Sequence, residues 1–324
     1  MNNVKSIKKT NFLRKLLKQR PAFLGVLTVF IAVTAAIIFK PFATILNLKS
    51  FLLNISTNMI VAIGMMILLI SGAFDLSVGS VAGLTGALSA NLMYYGGVNW
   101  VVSVTTALIL AVGIGLLNGV LIAKVGVNPL IETLAMMGLI RGFALLVGGT
   151  GIIGLPDGFL KIADNKFIGI RTPIWYMIFI AVIFSFLVSK TLFFRRYYYI
   201  GSNEKAANLS GINIVKMRIV SFMIASGLAG IGGIILTSRL QTALASLGNG
   251  LELRVITACI LGGASLAGGQ GSIFGALMGT IFIAVLNNIM IIARMRSYWQ
   301  MIVIGSILLI AVTLDAVINR PAAE

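Results

Sequence analysis

The chain has 324 residues, 59% hydrophobic and only 10% charged, with a mean hydropathy of +1.05. No water-soluble globular fold of this length tolerates that composition, so the chain reads as an integral membrane protein. The net charge of +17 comes from 25 Lys and Arg scattered beside apolar runs, not gathered in one basic domain, which argues against a nucleic-acid partner.

Histidine is absent and Cys259 is the only cysteine. That excludes imidazole acid–base catalysis, imidazole zinc sites and any internal disulfide. Residues 1–20 form a basic tail with scattered apolar residues; no small-residue cleavage site follows the first apolar run, which is therefore expected to remain as a span.

A hydrocarbon core of about 30 Å needs roughly 20 apolar residues per helix, and about ten such runs can be counted. They lie near residues 21–39, 51–70, 80–95, 99–123, 128–148, 173–190, 219–238, 253–264, 273–293 and 299–318. The third and eighth are short and Gly-rich, and are expected to be broken or partly re-entrant. The alternating segments of a β-barrel are absent from the sequence. The expected fold is all-α: a polytopic helical bundle over 21–318, with a short tail at 319–324.

With an even number of spans and an inner amino terminus, the inner face receives fifteen basic residues, from Lys5, Lys8 and Arg20 through Lys124, Lys190 and Arg218 to Arg320. About nine fall outside, and Arg141 is left within a span. Both termini are therefore expected in the cytoplasm.

In SGAFDLSVGSVAGLTGA, residues 71–87, Asp75 stands between apolar runs. An ionised carboxylate at the bilayer centre costs ~2.5 to 3.5 kcal/mol, so it needs a partner. Asp75 can cap a helix that begins near Ser77 and Ser80, or it can touch a solute. Gly79 and Gly83, Gly115 and Gly119, and Gly271, Gly275 and Gly279 recur at the spacing that lets helix backbones approach closely in lipid.

Glu132 and Arg141 share the fifth run but are too far apart to pair on one straight helix. Arg141 is the deeper and the better pathway candidate. Asn118, Asn128, Asn287 and Asn288 are neutral groups suited either to a hydroxyl-rich solute or to joining helices. Residues 149–172, with Asp157, Lys161, Asp164, Lys166 and Arg171, read as an external lid or docking loop, or as a solvated connector.

The second polar interruption, 191–218, contains YYYIGSNEKAANLSGI, residues 197–212. Asn203 suits a helix cap, Glu204 the positive end of the dipole, and Gly211 the left-handed stop, after which Ile212 can fold back onto Ala207. A helix of about two turns is not stable alone, so it must pack against something. Gly79-Ser80-x-x-Gly83 and Gly271-Ser272-x-x-Gly275 echo one another and suggest an internal duplication. A phosphate-binding Gly-x-x-x-x-Gly-Lys-Ser/Thr loop is missing from the sequence. If ATP drives this protein, another chain binds it and presses on 197–212.

At these residues the chain resembles the permease subunits of bacterial ABC sugar importers, the family of ribose, xylose, arabinose and galactose permeases. Ala73 to Ser80 is similar to the family's Ile-Asp-Leu-Ser-Val-Gly-Ser stretch. Gly201 to Ile212 is similar to its cytoplasmic coupling loop. Leu261 to Gly275, Leu286-Asn287-Asn288 and Ser297-Tyr298-Trp299-Gln300 resemble its carboxy-terminal signature. Phe74 in place of Ile, Glu132 in place of an apolar residue and Ile289 in place of Gly depart from the pattern.

The resemblance implies a multi-pass protein of the bacterial inner membrane, surrounded by lipid and paired with a second permease copy, identical or different. Two ABC ATPase subunits would carry ATP and Mg beneath it, and an extracytoplasmic sugar-binding protein would dock outside. Neither a catalytic residue nor a metal site is expected on this chain. Gly201, Asn203, Glu204, Ala206, Ala207, Leu209, Ser210 and Gly211 would couple to the ATPase. Phe74, Asp75, Ser77, Asn118, Arg141, Asn287 and Asn288 are the pathway candidates.

Two other classes fit less well. An ion-driven secondary transporter of a small polar solute needs a relay of membrane acids, and Asp75, Glu132 and Asp315 are too scattered. An intramembrane transferase would show an Asp-rich metal motif, and the eight acids here are isolated.

Overall fold

The computed structural model describes residues 20–318. The basic head from Lys5 to Lys18 and Arg320 in the tail lie outside the described residues. Eight helices are long and apolar enough to cross a membrane: α1 (Arg20–Ile38), α2 (Ile45–Ile70), α4 (Trp100–Val120, extended by a turn to Val125), α5 (Pro129–Gly148), α7 (Thr172–Lys190), α10 (Ile214–Leu240), α12 (Ile273–Ile292) and α13 (Ser297–Ile318). Two shorter ones, α3 (Val78–Tyr94) and α11 (Leu251–Leu261), occupy the Gly-rich third and eighth runs; α3 is a single unbroken helix of 17 residues, so the third run is short but not broken. The remaining three helices are polar and short: α6 (Asp157–Asp164), α8 (Leu192–Ser202) and α9 (Glu204–Leu209).

The bundle is built around α2. Its sequence is apolar on every face from Met59 to Ile70, and all of those residues are buried, as expected of a helix that other helices surround. α10 is the second axis. Its 27 residues span about 40 Å at 1.5 Å per residue, with α9 packed at its start and α6 at its end. The far contact is polar: the Ser238 hydroxyl donates to the Phe159 carbonyl at 2.9 Å and accepts from the Ala163 amide at 3.1 Å. These are the two ends of the molecule.

The segment 149–172 is folded. Phe159 and Ala163 of α6 are buried, strands β2 (Lys166–Phe167) and β3 (Ile170–Arg171) form a tight hairpin, and Arg171 pairs with Asp164 at 3.5 Å. Strand β1 (Ile152–Ile153) pairs antiparallel with β4 (Thr242–Ala243), matching Ile152 with Ala243.

Beyond β4 the chain does not leave the bundle. It turns back and runs, without helix, along α3: Gly83 lies against the Ala245 and Leu247 carbonyls, and Gly79 against Gly248. Gly248 holds φ at +82° in that contact, which a side chain would strain. The break lies ahead of the expected run 253–264: the non-helical stretch 244–250 leads into the short α11.

Small residues set the helix spacing. A Cβ on Gly119 would sit 2.7 Å from the Ile219 Cα of α10, one on Gly115 2.5 Å from the Phe222 oxygen, and one on Gly275 2.1 Å from the Gly262 oxygen. Lipid tails supply no hydrophobic push between helices, so this backbone proximity carries the association. The two echoed Gly-Ser stretches play different local parts: Ser272 caps α12 by accepting from the Gly275 amide, whereas Ser80 sits inside α3 and donates to the Met137 carbonyl. Replacing Gly119 with Val should separate α4 from α10 and destabilise the protein by about 1–3 kcal/mol, read as a lowered melting temperature in detergent.

Candidate functional site

The α9 end carries the first candidate region. The Asn203 Oδ1 accepts from the Ala206 amide at 3.0 Å, capping α9, and Gly211 stops it at φ +78°. The Ile212 amide then closes back on the Ala207 carbonyl at 3.1 Å. Glu204 ties this short helix to α10 through Arg218 at 2.5 Å.

The two sides of α9 differ. Ala207 is buried against its own chain, while Ala206 and Ser210 face outward. Leu209 is 89% exposed, an apolar side chain standing free on a polar helix. On the face of α9 that carries Ala206 and Ser210, which Leu209 does not line, a cleft of about 540 Å³ opens among Arg195, Arg196, Tyr199, Asn203 and Ala206.

Gly201 links this region to the membrane core. A Cβ there would lie 2.0 Å from the Ile70 oxygen and 2.3 Å from the Gly269 nitrogen. The Gly269 amide donates to that same Ile70 carbonyl at 2.9 Å, and the Tyr198 hydroxyl donates to the Gly271 carbonyl at 2.9 Å. The end of α2, the end of α8 and the α11–α12 turn therefore meet backbone to backbone. The same turn holds α13, because Asp315 accepts from the Ser265 hydroxyl at 3.0 Å and the Leu266 amide at 3.2 Å.

Among the pathway candidates, Asp75, Ser77 and Asn118 come together and are buried. Asp75 Oδ1 accepts from both the amide and the hydroxyl of Ser77, at 2.7 and 2.6 Å, and so holds the residue that precedes α3 without capping the helix; the Asn118 amide reaches the same hydroxyl at 3.2 Å. Glu132, also buried, lies within electrostatic reach of Asp75. Asp75 Oδ2, Asn118 Oδ1 and both Glu132 oxygens have no hydrogen-bond partner among the described residues, so the group can take up protons or water donors. Phe74 packs against the main core.

Arg141 and the Asn pair lie elsewhere. The Arg141 guanidinium donates to the Ala245 carbonyl and, at 2.9 Å, to that of Leu247, holding down the non-helical stretch beside α3. Asn288 exchanges both amide hydrogen bonds with Asn47, at 2.9 and 2.8 Å, joining α12 to the start of α2. Asn287, its neighbour, instead lines a cleft with Asn54, Asn58 and Arg254.

Sequence reading passed over Asn47, Asn58 and Arg254, since a single Asn or Arg beside an apolar run carries no periodic signal. Arg141→Met should strand two buried carbonyls, at about 1–3 kcal/mol each. The expected result is faster protease cutting within 244–250 in the folded protein, with Arg141→Lys intermediate.

Residues 47–312 match the family described as "Branched-chain amino acid transport system / permease component". The Ribose import permease protein RbsC of Escherichia coli strain K12 is 39% identical over 279 residues, covering 85% of this chain and 87% of its own. The L-arabinose transport system permease protein AraH of the same strain is 39% identical over 302 residues, covering 90% and 89%. The Autoinducer 2 import system permease protein LsrC of Salmonella choleraesuis is 34% identical over 258 residues, covering 79% and 74%. No solved structure matches. With helices that cross the membrane, a capped polar helix at one end and relatives of this kind over most of its length, the chain belongs to this permease family and is a permease of the ABC sugar importers.

Proposed function

We propose that this chain brings a pentose or a similar small sugar into the cytoplasm, moved by ATP hydrolysis on a separate Mg-dependent ATPase subunit that seats on α9. The observation that carries this reading is Leu209. Leu209 stands exposed to 89% at the tip of a six-residue polar helix, where a docking partner can cover it. The cleft between α8 and the Ala206–Ser210 face of α9 gives that partner a concave footing.

The other face of α9 is fixed by Glu204–Arg218, by Ala207 and by the contacts behind Gly201. A push on Leu209 is therefore delivered to α2, α11 and α12. The names of the relatives, ribose, L-arabinose and autoinducer 2, support a small polyhydroxylated cargo.

In this reading the α9 end and both termini face the cytoplasm of a bacterial inner membrane. The basic residues Lys190, Arg195, Arg196, Lys205 and Lys216 flank α8 and α9, as the positive-inside bias requires. The opposite end, with α6 and its hairpin, receives the sugar-binding protein. A second permease copy completes the assembly.

Replacing Leu209 with Asp should leave the protein inserted and folded, since the side chain is almost wholly exposed. Co-purification of the ATPase subunit should fall at least tenfold, and ATP-dependent sugar uptake with it. Full uptake by Leu209→Asp in membrane vesicles would remove α9 as the docking element.

A further inference from the structure

The hairpin of β2 and β3 has two unlike faces. Its register sets Lys166 opposite Arg171 and Phe167 opposite Ile170. Opposed residues of an antiparallel pair point to the same side, and neighbours along a strand point to opposite sides. One face therefore carries two cations and the other two apolar side chains. Ile168 and Gly169 make the turn between them. Phe167 is 59% exposed, Ile168 77%, and Ile170 is exposed as well.

That turn is an unfavourable place for isoleucine. Ile168 and Gly169 both hold positive φ, +52° and +74°, the backbone of a two-residue loop that Asn-Gly or Asp-Gly adopts with least strain. A β-branched residue is a conformational outlier there. In water an exposed Ile gains nothing that offsets this strain, whereas against an apolar surface it does.

The position of the hairpin follows from α7. That helix has 19 residues, about 28 Å at 1.5 Å per residue, against a hydrocarbon core of about 30 Å. The whole helix is needed to cross, so Thr172 lies at one edge of the hydrocarbon and Arg171 just outside it. From there a strand of two residues reaches about 7 Å, no farther than a headgroup layer of roughly 5–8 Å. Nor does the hairpin stand upright. The Trp175 indole, within the first turn of α7, donates to the Phe167 carbonyl at 3.1 Å, and the two rings meet edge to face at 5.4 Å. Trp175 heads a stripe on α7 at helical spacing, continued by the exposed Ile178, Phe179, Val182 and Phe186. In a spanning helix such an apolar outer stripe faces lipid, and the tip of the hairpin is continuous with it through Trp175.

We propose that the hairpin 166–171 is a lipid anchor. Phe167, Ile168 and Ile170 insert at the boundary of headgroups and acyl chains beside α7, while Lys166 and Arg171, on the other face, meet the phosphates of anionic phospholipids. An apolar tip and a basic face on one short element fit that boundary better than they fit water. The proposal depends on α7 as a membrane span and not on the cargo; in the import reading it turns the tip to lipid and leaves α6 open to the sugar-binding protein.

The test uses the full-length chain in nanodiscs of phosphatidylethanolamine and phosphatidylglycerol. An environment-sensitive thiol fluorophore is placed on Ile168→Cys, Ile170→Cys, Lys166→Cys or Asp157→Cys, introduced singly; the native Cys259 is fully buried and stays silent. A lipid with a nitroxide high on its acyl chain should quench the probes on Ile168→Cys and Ile170→Cys by at least half. A headgroup nitroxide should quench Lys166→Cys more than the acyl nitroxide does, and Asp157→Cys, exposed on α6, should respond to neither. Two tip positions keep a local folding defect at the turn from deciding the result. Tip probes that the acyl nitroxide leaves as bright as Asp157→Cys overturn the proposal. A blue shift of the tip probes that comes only with added sugar-binding protein overturns it too, and assigns the tip to that protein instead.

Discussion

Everything in this molecule answers to one constraint: within lipid, a backbone amide, a carbonyl or a charge has to find its partner inside the protein. The stretch 244–250 violates the simplest solution, an unbroken helix, at the depth where that solution is most needed. It survives because Arg141 takes up two of its carbonyls, and because Gly79 and Gly83 let it lie directly on α3. Breaking a helix there leaves α11 short enough to start within the bundle and carries Arg254 to the cleft of Asn58 and Asn287. One half-buried arginine thus makes room for another.

The same constraint sorts the polar residues of the bundle. Asn288 and Asn47 satisfy each other, one oxygen of Asp75 holds Ser77 ahead of α3, and Ser238 fastens α6 to α10. These groups hold helices together. Asp75 Oδ2, Asn118 Oδ1 and both Glu132 oxygens keep unused hydrogen-bonding capacity among the described residues.

Spans were legible in the sequence because about 20 apolar residues in a row have few other uses, and the short third and eighth runs flagged themselves by their glycines. The α9 turn was equally plain, since Asn203 and Gly211 are strong local signals. Which way its alanines point was not. Ala207 and Ala206 are identical in composition, and only the approach of α8 and α10 decides that one is covered. Arg141 was visible as a deep charge, but its partners are carbonyls more than a hundred positions away, and a carbonyl has no letter in a sequence. Segment 149–172 hid a small helix and a hairpin for a related reason: its order comes from Phe159 and Ala163 reaching the end of α10, a contact between distant parts of the chain.

The meeting of Gly201 with Ile70 and Gly269 has a mechanical meaning. Contacts between side chains have slack, because a rotamer can turn and swallow a small displacement. Three stretches of main chain in direct touch have none. A shift of the α8–α9 elbow therefore cannot be lost at this point: it must tilt the foot of α2 or carry along the turn that leads from α11 to α12. The glycine here works as a rigid bearing, and its missing side chain is what keeps the linkage tight.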